Sequence, residues 1–232
     1  GASGYEWNKI EDELAIDHTV YPVDLLGCGR SDKSSITYTN FVYVQMISDF
    51  IKKIIGQKTD VIASGFSGSF VTMACHNEKE LFNKIMLVNP PSLTQLKQMP
   101  NRKDRLLKAA LEIPIFGTLV YHMIVSRDNI NNLFIEKMYY NPFHVDNQMA
   151  DAYYEAAHKG GYYTRFLYSS LAAKYININI CHALKALDNS IYIVEGETEP
   201  NGKAVTDDYC ASNPAIEVSV LKETKHLPHV EA

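Results

Sequence analysis

The sequence predicts an α/β protein in which a mostly parallel sheet carries helices on both faces. Short apolar segments rich in β-branched residues alternate with segments whose apolar residues recur at helical spacing. Glycine-containing turns follow some of the apolar segments, as expected where a strand ends. The alternation stops after residue 91 and resumes near residue 188. This interruption predicts a helical insertion between two successive strands of one sheet.

The 232-residue chain has the composition of a globular protein. Hydrophobic residues make up 46% and charged residues 21%, which suffices for a buried core and excludes disorder. The net charge is −5 without a block of Lys and Arg, which argues against a nucleic-acid or anionic-membrane surface. The four cysteines are scattered without C-x-x-C spacing, so we expect reduced thiols. With no long apolar run or signal-peptide pattern, a cytoplasmic location is the default expectation.

The first segment is predicted to be helical. Ser3 is a candidate N-cap, with Glu6 three residues later as in a capping box. Trp7, Ile10 and Leu14 then fall on one face at helical spacing.

An extended run at residues 19–23 leads into a glycine-containing turn at residues 24–31. Residues 40–55 form the next predicted helix, because their apolar side chains recur at helical spacing. Those side chains are Val44, Ile47, Ile51 and Ile54.

Apolar strands are predicted at residues 60–63 and 84–89, with a glycine turn and a helix at residues 70–79 between them. From residue 92 to 187 we find helical patterns and turn signals but no convincing strand. Strand character returns at residues 190–194 and 216–220. We therefore predict an α/β core, residues 1–91 and 188–232, and a helical insertion, residues 92–187.

The Gly-Phe-Ser-Gly-Ser segment at residues 65–69 places Ser67 between a predicted strand and a predicted helix. Such a turn projects a nucleophile above the carboxyl edge of the sheet, and its strained backbone needs small neighbours. The helix then points its N-terminus at the site, so the Gly68 N–H is a candidate oxyanion donor. The strict pattern ends in glycine, whereas this chain has Ser69.

A serine nucleophile needs a base and a carboxylate to orient that base. His226 is the best-placed histidine, since it lies just past a predicted strand and follows Ser67 in chain order; His229 is the rival. Glu199, in the loop after the strand at residues 190–194, is the candidate carboxylate. Glu197 is second, and the more distant alternatives are Asp207 and Asp208.

No cofactor or metal site is predicted. The Gly27-Cys28-Gly29 run invites a nucleotide interpretation, but a dinucleotide fingerprint would need glycine where Asp32 stands. The sequence has no phosphate-binding G-x-x-x-x-G-K-[ST] loop and no clustered His and carboxylate spacing for a metal.

These motifs are similar to those of the α/β-hydrolase-fold family and come in the same order. Residues 24–31 resemble its D-x-x-G-x-G-x-S turn, and residues 65–69 its nucleophile elbow. Residues 196–200 look like its G-x-x-D-P acid loop with Glu for Asp, and residues 225–231 like its terminal G-H-x-x-x-x-E segment with Lys for Gly. The overall run is similar to uncharacterised α/β hydrolases of anaerobic Gram-positive bacteria.

The resemblance implies a helical cap at residues 92–187 that covers the site and sets substrate choice. The aromatic content of this cap suggests an apolar acyl or alcohol pocket, for which Phe66, Tyr121, Tyr139 and Tyr140 are candidates. Tyrosines at helical spacing are, however, more often packing residues.

The family normally has further N-terminal strands, a loop with a second oxyanion N–H and a final helix. We expect these pieces to lie outside this chain. A truncated sheet exposes an unpaired edge strand, so we also expect the chain alone to be poorly soluble or to need a partner, with a homodimer as one option.

The leading functional hypothesis is a carboxylesterase-like serine hydrolase that cleaves a small or medium ester. Ser67 attacks, His226 accepts its proton and Glu199 orients the imidazole. A C–C-cleaving, otherwise non-hydrolytic or acyl-transferring enzyme on the same fold is the alternative, because fold does not determine chemistry. A non-catalytic binding protein on this scaffold is the third hypothesis.

Overall fold

The computed structural model describes residues 4–232, which form two compact units. The first unit contains residues 4–38, 100–176 and 229–231, and the second contains residues 39–99, 177–228 and 232. Ser3, the predicted N-cap, lies outside the described residues.

The predicted α/β class is confirmed. The strands are β1 (Thr59–Ser64), β2 (Phe82–Val88), β3 (Ser190–Gly196) and β4 (Glu217–Leu221). The α-helices are α1 (Asn8–Leu14), α2 (Asn40–Phe50), α3 (Ser67–Asn77), α4 (Leu93–Leu96), α5 (Arg102–Glu112), α6 (Pro114–Ile124), α7 (Arg127–Leu133), α8 (Asn147–His158), α9 (Arg165–Ala172), α10 (Cys181–Ala186), α11 (Gly202–Ser212) and α12 (Pro228–Glu231). Short 3₁₀ turns at Gly4–Trp7, Lys79–Leu81, Pro142–His144 and Gly161–Thr164, and π turns at Ile51–Ile55 and Phe134–Met138, complete the helical structure.

The second unit is built on a parallel sheet in the order β1-β2-β3-β4. In its register Ile85 of β2 lies opposite Val61 of β1 and Ile191 of β3. Phe82, Ile85 and Leu87 are each 0% exposed, so β2 forms the centre of the core. Because all four strands are parallel, their carboxyl ends lie along one edge of the sheet, where functional groups collect in open α/β folds.

Helix α3 connects β1 to β2 and packs against both strands. Its outer side meets α2, where the rings of Tyr43 and Phe70 stack with centroids 4.8 Å apart. The predicted helix at residues 40–55 is confirmed, but its last five residues adopt π-helical hydrogen bonding that ends at Gly56 in the left-handed conformation.

Helices are the regular secondary structure of the first unit within its described residues. Helix α5 packs against α6 and α9, and the buried Tyr153 hydroxyl donates a 2.7 Å hydrogen bond to Glu6. Residues 19–23, predicted to be extended, form no strand within the described part of this unit. No strand occurs between β2 and β3 either, as predicted for the insertion. The compact first unit includes residues 4–38 besides residues 100–176, and the domain boundaries near residues 91 and 188 stay predictions.

The predicted turn at residues 24–31 wraps around the side chain of Asp24. Its carboxylate accepts hydrogen bonds from the Gly4 and Arg30 N–H groups, and its carbonyl accepts one from the Ser31 hydroxyl. Gly29 adopts a φ of 43°, and a Cβ there would lie 2.1 Å from the Asp24 carboxylate. Asp24 and Gly29 are therefore needed together, because the Asp24 carboxylate occupies the space that a side chain at position 29 would fill.

Among the helices of residues 4–232, none is by itself long and apolar enough to cross a membrane. Helices α5 and α6 reach the required length and composition only as a pair, which is bent by 95°.

The central position of β2 predicts that shortening a side chain there costs more stability than shortening one on β4. Ile85→Ala is expected to lower the free energy of unfolding by about 2 to 5 kcal/mol, because it opens a cavity in a fully buried strand. Val220→Ala on β4, where the side chain is 53% exposed, is the control and should cost no more than about 0.5 kcal/mol. Urea unfolding of both variants measures the difference, and equal costs would contradict this description of the core.

Candidate active site

Ser67 is the first residue of α3 and follows β1 after a two-residue turn. The turn is made by Gly65, whose φ of 56° lies in the left-handed region. The Gly65 N–H donates a 2.9 Å hydrogen bond to the Val88 carbonyl, which holds the turn against the end of β2. The Ser67 hydroxyl donates to the Ser64 carbonyl at 2.6 Å. The positive φ therefore falls on Gly65 rather than on the nucleophile, because glycine lacks the Cβ that makes this conformation costly.

Close packing explains why the two residues after Ser67 are small. Gly68 is buried, and a Cβ there would lie 3.0 Å from Leu87 Cδ2. Ser69 is 0% exposed, but its hydroxyl donates to the Phe66 carbonyl at 2.7 Å. This hydrogen bond lets serine replace the family's final glycine without a buried unpaired hydroxyl. The Gly68 N–H, the predicted oxyanion donor, lies 3.2 Å from the Gly65 carbonyl, a long hydrogen bond.

Glu199 and His226 come together. Both carboxylate oxygens of Glu199 lie 3.2 Å from His226 Nδ1. The imidazole is 35% exposed and the carboxylate 20% exposed, so the pair is only partly screened by water. A carboxylate at Nδ1 favours the tautomer with the proton on that nitrogen, which leaves the Nε2 lone pair as the base.

Backbone contacts hold the acid loop, residues 196–200, against the base segment, residues 221–226. The Thr198 N–H and hydroxyl donate to the Thr224 carbonyl at 3.1 and 2.9 Å, and the Glu197 N–H donates to the Leu221 carbonyl at 3.0 Å. At Gly196 the acid loop and the base segment approach so closely that a Cβ would lie 1.9 Å from the Lys225 carbonyl oxygen. Only glycine fits this position.

The other predicted candidates lie elsewhere. Glu197 is exposed, and its carboxylate accepts a 3.0 Å hydrogen bond from the Glu223 N–H. Asp207 and Asp208 are exposed on α11. His229, the rival base, belongs to the first unit, where its ring stacks on Trp7 at 4.4 Å. Of the four carboxylates considered, Glu199 is thus the one with a hydrogen-bond contact to His226.

Sequence reasoning missed the role of Asn89, which follows β2 and is 6% exposed. Its side-chain Nδ2 donates to the Lys225 and His226 carbonyls, each at 2.9 Å, and its Oδ1 accepts from the Gly196 N–H at 3.1 Å. Its φ of 41° is left-handed. An asparagine directly before Pro90 at a strand end was the available signal, because asparagine tolerates this conformation better than most residues.

The predicted pocket residues are dispersed. Phe66 is half-buried beside Ser67. In the first unit, the Tyr121 hydroxyl donates to the Ala157 carbonyl at 2.8 Å, and burial raises the pKa of Tyr139 to about 12. Tyr140 is 47% exposed. Tyr121 and Tyr139 therefore pack in the interior of the helical unit, and a role in a substrate pocket stays a prediction.

A buried carboxyl group, that of Glu195, lies next to the acid loop. Glu195 is 5% exposed at the end of β3, and its Oε2 has no hydrogen-bond partner among residues 4–232. Gly202, at the start of α11, gives it room, since a Cβ there would lie 2.2 Å from Oε1. Burial raises the pKa of Glu195 and outweighs a hydrogen bond with Thr206 that acts in the opposite direction, while the charges of Glu199 and Asp207 add to the rise. Within the described residues, no group of three or more His, Cys, Asp or Glu side chains forms a metal site.

The whole chain, residues 1–232, matches the family described as the alpha/beta hydrolase family. Among curated proteins it is similar to uncharacterized proteins of Mycobacterium tuberculosis and Mycobacterium bovis, at 24% identity over 95 residues. The match covers 41% of this chain and spans about 28% of the length of those relatives.

Three solved structures illustrate the structural likeness. The 2-hydroxy-6-oxo-6-phenylhexa-2,4-dienoate hydrolase of a Rhodococcus species superposes with a TM-score of 0.75 at 17% identity, covering 100% of this chain and 81% of that one. The epoxide hydrolase CorEH gives 0.77 at 15%, covering 99% and 83%. An esterase from Exiguobacterium antarcticum gives 0.72 at 13%, covering 97% and 81%. At such identities the likeness establishes the fold.

The close approach at Gly196 predicts that a methyl group there is not tolerated. Gly196→Ala is expected to lower the free energy of unfolding by about 1 to 3 kcal/mol, because the acid loop must move away from Lys225. Gly4→Ala is the control, since its Cβ would lie at an ordinary 3.5 Å from Asp24. If chemical denaturation shows both substitutions to be equally mild, the described contact is wrong.

The raised pKa of Glu195 predicts a pH-dependent stability. The folded state retains this proton to higher pH than the unfolded state, so the stability is present below the unfolded pKa and is lost as pH rises through the folded pKa. Glu195→Gln stays neutral, so its melting temperature should exceed that of the wild type increasingly as pH rises above the unfolded pKa of about 4.3, but not below it. The exposed Glu217→Gln is the control, and a Glu195→Gln gain that does not vary with pH would refute the assignment.

Proposed function

Because the chain belongs to the alpha/beta hydrolase family, we propose that it is a serine hydrolase that cleaves carboxylic esters through Ser67, His226 and Glu199. The observation that carries the proposal is the contact of both Glu199 oxygens with His226 Nδ1 at 3.2 Å. Ser67, Glu199 and His226 follow β1, β3 and β4, and therefore belong to one edge of a parallel sheet.

In the proposed acylation step, the Ser67 hydroxyl turns from the Ser64 carbonyl toward His226. Its oxygen attacks the ester carbonyl carbon while Nε2 takes the proton, and the π electrons of the carbonyl move to its oxygen. Glu199 stabilises the resulting imidazolium without taking a proton from it. The tetrahedral intermediate then collapses, the ester C–O bond breaks and the imidazolium protonates the departing alcohol.

The oxyanion is stabilised at the start of α3. In the proposal, the Gly68 N–H shares its hydrogen between the Gly65 carbonyl and the oxyanion. The N-terminal end of this eleven-residue helix adds a favourable partial positive charge. One such donor typically contributes about 3 to 4 kcal/mol to lowering the barrier.

Deacylation repeats these reaction steps with water in place of the serine. His226 removes a proton from water, whose oxygen attacks the acyl carbon, and the carboxylic acid leaves as Ser67 regains its proton. The same residues would serve acyl transfer if an alcohol replaced water, and the neighbouring structures carry names for three different hydrolytic substrates. The ester is therefore proposed from the serine, histidine and carboxylate set rather than from the fold.

The identity of the nucleophile is tested by fluorophosphonate labelling and by hydrolysis of short p-nitrophenyl esters. Wild-type protein should label once and release p-nitrophenol, and Ser67→Ala should abolish labelling and lower kcat by about 10⁶-fold. Ser212→Ala on α11, where the serine is half-buried, is a control that should retain both activities. Wild-type protein that neither labels nor hydrolyses any short ester would exclude the esterase proposal.

The choice of carboxylate is tested by amide replacement. Glu199→Gln should lower kcat by about 10³- to 10⁴-fold, because the imidazole loses the partner that fixes its tautomer. Glu197→Gln is the matched control two residues away and should leave kcat nearly unchanged. Ester hydrolysis under saturating substrate compares them, and the larger loss in Glu197→Gln would overturn the assignment.

A further inference from the structure

We propose that Asn89 is a positioning residue of this site, one that sets the relative placement of Glu199 and His226 without touching the substrate. The inference rests on the proposed function. Asn89 stands between the two segments that carry those side chains and makes side-chain hydrogen bonds to both.

The hydrogen bonds of Asn89 use the whole amide group. Its two N–H bonds are directed to two consecutive carbonyls of the base segment, those of Lys225 and His226. Its oxygen accepts from Gly196, which begins the acid loop three residues before Glu199. The Asn89 backbone N–H also donates to the Val194 carbonyl at 2.9 Å, which ties the residue to β3.

Asparagine is the side chain that these partners require. Aspartate has the same shape but donates no hydrogen bond, so its oxygens would face the two carbonyls of the base segment. A longer amide would not reach the same three groups from a 6% exposed position. The left-handed φ of 41° also departs from the extended backbone that a residue before proline usually adopts. Such unusual backbone is kept where the surrounding contacts determine it.

The consequence for catalysis is one of alignment. Glu199 and His226 meet at 3.2 Å, a distance that small shifts of either segment would lengthen. A displacement of about 1 Å in a catalytic group can cost about 10²-fold in rate. Asn89 influences the contact between Glu199 and His226 indirectly, through its hydrogen bonds to the backbone of the acid loop and of the base segment.

The chain offers a matched control in Asn213. This residue is 7% exposed, its Nδ2 donates to the Leu184 and Leu187 carbonyls, and its Oδ1 accepts from the Ala215 N–H. It therefore makes the same three kinds of hydrogen bond. It precedes β4, at the edge of the sheet opposite the site.

The experiment compares Asn89→Gly, Asn89→Asp and Asn213→Gly in the full chain. Glycine tolerates the left-handed backbone at position 89. Aspartate keeps the shape of the asparagine side chain but removes both of its N–H donors. Two quantities are measured beside the melting temperature: p-nitrophenyl ester kinetics per labelled active site, and the imidazole tautomer of His226 by ¹⁵N NMR, with His226→Gln to assign the signal.

We expect both Asn89 variants to lower kcat by about 10- to 100-fold with little change in KM. The His226 tautomer, with its proton on Nδ1 in the wild type, should shift toward Nε2 in both. Asn213→Gly should lose comparable thermal stability but keep kcat and the tautomer. Equal effects of the two glycine variants on kcat, or a harmless Asn89→Asp, would overturn the proposal by reducing Asn89 to a structural or space-filling residue.

Failure of the esterase proposal would be seen separately, as wild-type protein without labelling or hydrolysis. The NMR comparison needs no substrate and still decides the role of Asn89 in that case. A tautomer that shifts in the Asn89 variants but not in Asn213→Gly supports the positioning role, and an unchanged tautomer overturns it.

Discussion

The contact of Gly196 with the Lys225 carbonyl is the constraint on which the candidate site depends. A peptide chain can approach another this closely only where a side chain is missing, and a Cβ at Gly196 would lie 1.9 Å from that oxygen. The approach brings the acid loop and base segment within hydrogen-bond distance at Thr198 and Thr224. The hydrogen-bond geometry of Glu199 and His226 follows from this backbone contact.

The parallel sheet supplies the frame for that contact. Its strands follow one another in chain order, so each connection returns the chain to the amino edge and leaves a loop at the carboxyl edge. The buried β2 anchors the frame, since its side chains at Phe82, Ile85 and Leu87 are fully enclosed. Asn89 directly follows this strand, which explains why a residue with no predicted chemistry reaches both functional segments.

The buried polar groups around the site differ in how completely they are hydrogen-bonded. Asn89 pairs its whole amide, whereas Glu195, one strand away, keeps an oxygen without a partner among the described residues. A fully paired amide rigidifies its surroundings, while a buried carboxyl with a raised pKa costs stability when it ionises. The two groups thus have opposite effects on the same edge of the sheet once Glu195 is ionised.

Local sequence was sufficient for the elements and for the position of Ser67. The strands at residues 60–63, 84–89, 190–194 and 216–220 follow from short β-branched runs, and the elbow from glycines that relieve a tight turn. These are properties of neighbouring residues, so one stretch of chain contains them. By contrast, the extended run at residues 19–23 has the composition of a strand but no strand partner within the described residues, because pairing is decided by distant segments.

The tertiary structure alone decided the contacts between segments. The sequence favours Glu199 over Glu197 by its place in the acid loop, but only the fold of that loop shows which carboxylate reaches Glu223 and which reaches His226. The hydrogen-bond partners of the Asn89 side chain lie 107 to 137 positions away along the chain. Side-chain periodicity carries no information about such distances, because they are determined by the packing of the whole sheet.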